Sequence, residues 1–259
     1  MKREERQQAI MDLLVGEGAV ALDALATRFS VSKMTIHRDL DELEDAGLLR
    51  KIRGGATIES GTQFESHFRF RERQGSAAKT AMADAALKLI EPGMSVMIND
   101  GSMAALLGQK TATRRPLTVI TNNAAIIEAL KDRAGITLIA LGGIYSSKFN
   151  AYLGKITEDA LGALRADLAF ISTPAVAGLE TFHMDEAVLR AKRLMMDAAL
   201  SSCLLANHTR FGHTALHKLA DLSEFGHIIT DKAPEPEARA ALDWAGLTLT
   251  IADRTQADP

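Results

Sequence analysis

Five polar or basic side chains crowd one short stretch: Ser32, Lys33, Thr35, His37 and Arg38. Three cations, Arg50, Lys51 and Arg53, follow beside Gly54 and Gly55. Short hydroxyls and cations in the first turns of a helix suit base edges in a major groove, and the helix N-terminus itself favours phosphate. Glycines beside cations let a backbone approach a phosphate strand closely. The formal net charge is −3. Nucleic-acid chemistry here therefore rests on a few placed cations and not on a basic coat. The same residues also fit a generic helical domain with a solvated charged face, in which Arg38 pairs with Asp41 or Glu42.

A second set of polar residues follows short apolar runs: Asn99-Asp100-Gly101-Ser102, Thr121-Asn122-Asn123, Gly142-Gly143, Ser172-Thr173-Pro174 and Asn207-His208-Thr209-Arg210. If the runs are strands of an open α/β sheet, these are the ends beyond which ligands bind. Gly101-Ser102 before a helix offers free N–H groups, a hydroxyl and a helix N-terminus to a phosphate. Glu186, Arg190 and Lys192 share one helix, with Glu186 and Arg190 at i,i+4; a surface ion pair is the plainer reading of that group.

The elements that position these groups follow from periodicity. Ile10, Leu13 and Leu14 mark one face of a first helix, which Gly16 and Gly18 end. Leu22, Leu25, Ala26 and Phe29 mark a second helix. Ser32 caps a third, whose Ile36, Leu40 and Leu43 face inward, with Met34, His37, Arg38 and Asp41 roughly opposite. Gly47 stops that helix, and a short hairpin with a basic, Gly-containing tip follows. Residues 58–74 are polar and aperiodic and read as a linker. From about residue 75, β-rich runs (95–98, 117–121, 137–141, 168–172, 203–206, 227–230, 247–251) alternate with helical stretches (77–90, 123–131, 156–164, 185–200, 236–245). That alternation predicts a mostly parallel sheet with helices on both faces. The expected organisation is α/β: an N-terminal winged helix-turn-helix over 1–57, a linker over 58–74, and a mostly parallel α/β domain over 75–259.

The run FSVSKMTIHRDLDELEDAGLLRKIRGGA closely resembles the N-terminal signature of the DeoR family of transcription regulators. Val31, Ser32, Thr35, Ile36, Arg38, Asp39, Leu40, Leu43, Gly47, Leu48, Gly54 and Gly55 all match it. His37 departs, since Arg is common there. The resemblance implies a recognition helix carrying Ser32, Lys33, Thr35, His37 and Arg38, and a wing carrying Arg50, Lys51, Arg53, Gly54 and Gly55. Asp39 is expected to be structural, orienting Arg38 or capping a neighbour. The resemblance extends over most of the chain and implies a C-terminal domain similar to sugar-phosphate isomerases that senses phosphorylated sugars or related metabolites. Its effector site would comprise Asn99, Asp100, Gly101, Ser102, Thr121, Asn122, Asn123, Gly142, Gly143, Lys192 and Arg210. Gly154 and Asp167 also match.

Departures cluster at that pocket. The family's Asp-x-Gly-Ser/Thr-Thr reads Asn99-Asp100-Gly101-Ser102-Met103. Its Phe-x-Gly-x-x-Gly loop reads Phe170-Ile171-Ser172-Thr173-Pro174-Ala175, without glycines and with one N–H fewer. Asn207 stands for the usual Asp, and Arg210 for the usual Lys. Either the effector differs from a simple phosphosugar, or sensing is weakened or lost.

The expectation is a sequence-specific regulator, a repressor of sugar-metabolism genes, with operator DNA and a small effector as partners, acting as a homo-oligomer (dimer or tetramer). A DNA-binding protein with no small-molecule effector is the alternative. An enzyme is not expected: Asn99 and Asn207 occupy the positions where a proton-shuttling carboxylate would sit, although Asp100, Glu186 and Asp231 remain. No catalytic residue, cofactor or metal site is expected, because His208, His213 and His217 lack companions at ligand spacing and no Walker loop occurs. No apolar run approaches the ~20 residues of a membrane span, and no secretory leader is read. The single Cys203, in an apolar run, reads as a small buried hydrophobe and fits a cytoplasmic location.

Overall fold

The computed structural model describes residues 2–58 and 67–252. The chain divides into two compact units, with the boundary between Gln74 and Gly75.

The first unit contains α1 (Arg3–Glu17), β1 (Ala19–Ala21), α2 (Leu22–Phe29), α3 (Lys33–Asp45), β2 (Arg50–Ile52), β3 (Gly55–Thr57) and α4 (Phe68–Arg73). α1 runs through Gly16 and ends at Gly18, whose φ of 81° lets its N–H reach the Leu14 carbonyl. Ser30 adopts a left-handed conformation and closes α2. Two residues later Ser32 caps α3 through its hydroxyl, which accepts from the Thr35 N–H. This sharp turn sets α3 across α2. Ile36, Leu40 and Leu43 of α3 pack with Ile10, Leu14, Leu25 and Leu49 in one core. The hairpin β2–β3 is joined by β1 in a small antiparallel sheet of order β1-β3-β2.

The stretch expected as a linker is built structure at both ends. Ile58 is fully buried in the first core. Phe68–Arg73 forms a short helix whose Phe70 packs into that same core, and Phe68 is also buried. Residues 59–66 of that stretch lie outside the described residues.

The second unit contains, in chain order, α5 (Ser76–Leu87), β4 (Ser95–Ile98), α6 (Ser102–Lys110), β5 (Leu117–Thr121), α7 (Ala124–Leu130), β6 (Ile136–Ala140), β7 (Ile144–Ser146), β8 (Ala151–Leu153) and α8 (Lys155–Gly162). It continues with β9 (Ala166–Ser172), β10 (Ala175–Ala177), β11 (Glu180–His183), α9 (Glu186–Asp197), β12 (Ala199–Leu205), β13 (His217–Asp221), β14 (His227–Thr230), α10 (Pro236–Trp244) and β15 (Leu249–Ile251). Seven strands form one sheet of order β15-β14-β12-β9-β4-β5-β6, parallel at every pairing. Burial alternates along the strands. Met97, Ile120, Ala169, Ile171, Leu204 and Ile228 share a core with α9 residues Val188, Ala191 and Met195 and with Leu242 of α10. Val96, Ile98, Val119 and Phe170 are buried on the opposite face. Two small antiparallel pieces were not foreseen: the hairpin β7–β8 and the sheet β10-β11-β13.

The order of the sheet fixes one special place. From β4 the chain builds outward through β5 to β6, then returns to place β9 on the other side of β4. The carboxyl ends of β4 and β9 therefore flank the switch point where open α/β sheets leave a crevice.

Candidate nucleic-acid interface and candidate effector site

The outer face of α3 is polar because its inner face is spent on the core. Met34 is 70% exposed, and Lys33, His37 and Arg38 are exposed beside it. The Ser32 and Thr35 hydroxyls hydrogen-bond each other at 2.9 Å. No acidic residue lies in the first turn of α3.

The acids further along α3 are held by partners from elsewhere. Asp39 is 1% exposed and takes both an Nε and an Nη donor from Arg6 of α1, at 2.5 and 3.0 Å. It thus has the structural role expected, but its partner is Arg6 and not Arg38. The hydrogen bond that Arg6 donates to Asp39 holds the guanidinium above its usual range. Glu42 accepts from Arg3 and Gln7. Asp41 pairs with Lys51 of the hairpin, and Glu44 accepts the Lys51 backbone N–H at 2.7 Å. Arg38, Arg50 and Arg53 make no ion pair among the described residues, while Lys33 pairs with Asp23 at 2.7 Å on the open surface. An exposed pair of that kind is worth little and is readily exchanged for phosphate.

The two wing glycines differ. Gly54 has φ of +82° and open space around it, as a tip requires. Gly55 is buried, and a Cβ there would lie 2.0 Å from the Val20 carbonyl oxygen. Its smallness serves close pairing of β3 with β1, which corrects its expected place at the outward tip.

At the switch point most of the residues expected at the effector site lie in one hydrogen-bonded array. Asn99, just past β4, donates to Asp100 Oδ1 and to Ser172 Oγ, and its Oδ1 accepts the Ser172 N–H at 3.0 Å. Asp100 is 1% exposed and lies 3.5 Å from Lys192 Nζ. Lys192 is itself 2% exposed and donates to the Ser172 carbonyl at 3.0 Å. It is therefore no part of a surface ion pair, whereas Arg190 pairs on the outside with Glu186 and Glu158. Gly101 has φ of 102° and precedes Ser102 at the start of α6.

Thr121 and Asn123 are framework. Thr121 donates to the Ile98 carbonyl at 2.6 Å and accepts the Asn123 N–H. Asn123 caps α7 through Ala125 N–H and donates to the Gly101 carbonyl. Asn122 donates to the Tyr152 carbonyl of β8 at 3.0 Å. Gly142 and Gly143 join the hairpin instead of this array: Thr157 donates to the Gly142 carbonyl, and a Cβ on Gly143 would meet Thr157 Oγ1 at 2.4 Å and the Leu153 carbonyl at 2.6 Å. Arg210 stands half-buried in the short turn beyond β12.

Ser172 and His208 lie on strand ends that the sequence already marks as ligand-facing, but neither stands among the expected effector residues, and the pairing of His208 with Asp231 was not read. His208 Nδ1 lies 2.9 and 3.0 Å from the two oxygens of Asp231, and its backbone N–H donates to Oδ1 at 2.8 Å. Burial pushes the Asp231 carboxyl up, but the His208 bonds outweigh it and hold the group below its usual range. Placing both residues at adjacent strand ends was the available signal, since β12 pairs with β14. Burial pushes the Cys203 thiol far up and leaves it unreactive. Among the described residues no cluster could hold a metal ion, and no helix is long and apolar enough to cross a membrane.

The chain matches two known families in tandem. Residues 6–62 match the DeoR-like helix-turn-helix domain, and residues 74–232 match the DeoR C terminal sensor domain. It is 30% identical to the uncharacterized HTH-type transcriptional regulator YgbI of Escherichia coli K12, over 96% of this chain and 97% of that protein. It is 28% identical to the HTH-type transcriptional repressor GlcR of Bacillus subtilis, over 99% of both. It is 29% identical to the L-fucose operon activator of Haemophilus influenzae, over 88% of this chain and 92% of that one. Among solved structures, ribose 5-phosphate isomerase A of Methanocaldococcus jannaschii overlays 53% of this chain and 55% of its own, at a TM-score of 0.40 and 16% identity. The chain thus belongs to the DeoR family of helix-turn-helix transcriptional regulators.

Proposed function

We propose that this regulator reads operator DNA through α3 and the β2–β3 wing, and acts as a repressor of sugar-metabolism genes released by a small effector bound at the β4–β9 switch point. The observation that carries the reading is the separation of charge on α3. Asp39, Asp41, Glu42 and Glu44 are all engaged by groups off the helix, which leaves Arg38 without an ion pair on the exposed face.

In this account Ser32, Lys33 and Thr35 meet phosphate at the helix N-terminus, while His37 and Arg38 face base edges. Arg50 and Arg53 follow the backbone from the wing. Lys51 sets the wing against α3 through Asp41 and Glu44, and Gly54 supplies the turn. Effector binding is coupled to DNA affinity by linkage: a ligand that prefers one arrangement of a dimer or tetramer changes operator affinity by its differential binding. The protein acts in the cytoplasm and catalyses no reaction.

Selection from a random DNA pool by the full chain tests this reading. An enriched site with two related half-sites is expected, together with a dimer or larger species in sedimentation. A pool that stays unenriched contradicts DNA reading. A strict monomer with and without DNA contradicts the coupling mechanism.

A further inference from the structure

We propose that the switch-point site takes a neutral, hydroxyl-bearing ligand and excludes phosphate. This rests on the reading of the second unit as a sensor and names the chemical class that it senses.

Two acceptor oxygens there are buried without a donor: Asp100 Oδ2 and Asn122 Oδ1. They lie just past the ends of neighbouring strands, in a register that sets Ile98 of β4 beside Thr121 of β5. The other oxygen of Asp100 already accepts from Asn99 and faces Lys192. The Asn122 amide nitrogen is committed to the Tyr152 carbonyl, which fixes the amide and keeps Oδ1 an acceptor. Turning that amide over would set two acceptors against each other. A buried acceptor with no donor is costly, so the site is completed by groups that donate. Hydroxyls do this, whereas an ionised phosphate oxygen only accepts.

Charge points the same way. Gly101 and Ser102 open α6, where a backbone would otherwise receive an anion. The Asp100 carboxylate stands immediately before them. A phosphate group brings about −1.5 to −2 of charge, and beside a carboxylate removed from water the two repel. The cation within this array, Lys192, is already matched by Asp100 and bonded to the Ser172 carbonyl. Asn99, Ser102, Thr121, Asn122, Asn123 and Ser172 add no charge. The residues that this array brings together sum to zero, which suits a neutral polyol such as a free sugar or an alditol.

The test uses the full chain and inorganic phosphate, followed by free sugars beside their phosphate esters (ribose, glucose and fructose with the corresponding monophosphates). Melting is recorded in phosphate against chloride at equal ionic strength, for wild type, Asp100→Asn and Ser102→Ala. Wild type should be indifferent to phosphate and should be stabilised by a free sugar but not by its ester. Asp100→Asn should acquire phosphate stabilisation and bind the free sugar about tenfold more weakly. Stabilisation of wild type by phosphate or by an ester, lost in Ser102→Ala, overturns this inference and leaves the sensor reading standing. Indifference of both wild type and Asp100→Asn to phosphate and to every sugar overturns the inference and the sensor reading together. The wild-type comparison decides the matter on its own if Asp100→Asn does not fold.

Discussion

Arg6 of α1 and Asp39 of α3, 33 residues apart, meet in a buried two-pronged ion pair at 2.5 and 3.0 Å. The pair locks the first helix to the reading helix. Asp39→Ala strands the buried guanidinium and should cost about 3 kcal/mol of stability. Replacing both partners with Arg6→Met and Asp39→Leu should recover much of that loss, because a well-packed apolar pair can match a buried ion pair. Urea denaturation of wild type and the two variants checks it, and a loss below about 0.5 kcal/mol in Asp39→Ala contradicts the pairing.

Gly55 is needed for packing and Gly54 for its turn. Gly55→Ala forces a Cβ onto the Val20 carbonyl and should destabilise the first unit by about 1–3 kcal/mol. Gly54→Ala meets open space and carries only its left-handed φ, so about 1 kcal/mol is expected. Denaturation midpoints of the two variants should fall in that order; the reverse order refutes the assignment.

Asp167, at the start of β9, ties itself to the start of β4. Its carboxylate accepts from the Ser95 N–H and hydroxyl, both at 2.7 Å, and these bonds hold it below its usual range. A lowered folded-state value means the carboxylate stabilises the fold above the unfolded value of about 3.9, with the benefit lost as pH falls through the folded value. Asp167→Ala should therefore be less stable than wild type at neutral pH by about 2 kcal/mol, and the gap should close in strong acid. A gap that does not change with pH would show that the carboxylate charge is not what matters.

Much of this was legible because apolar periodicity and burial coincide. α2, β4, β5 and β14 fall where their patterns place them, and Ser32 caps α3 as its hydroxyl suggests. The hairpin β7–β8 was not legible: Ile144 and Tyr145 are exposed, so no inward apolar alternation marks it. Gly178 interrupts the run that forms β10 and β11. Lys192 could have been read better. It lies four residues after Val188 and three and four before Met195 and Met196, on the buried stripe of α9 and away from Glu186. The partners of Asp39, Asp41 and Glu42 could not be read locally, since they come from α1 and the wing.

The direct test of the account compares Arg38→Ala with Lys33→Ala on a DNA site selected by the full chain and on random DNA, across a salt series. Arg38→Ala should lose about 1–3 kcal/mol on the selected site and discriminate bases less well. Lys33→Ala should weaken both DNAs alike and make the salt dependence shallower by about one unit. Wild-type affinity and preference in Arg38→Ala would contradict the placement of α3 as the reading helix.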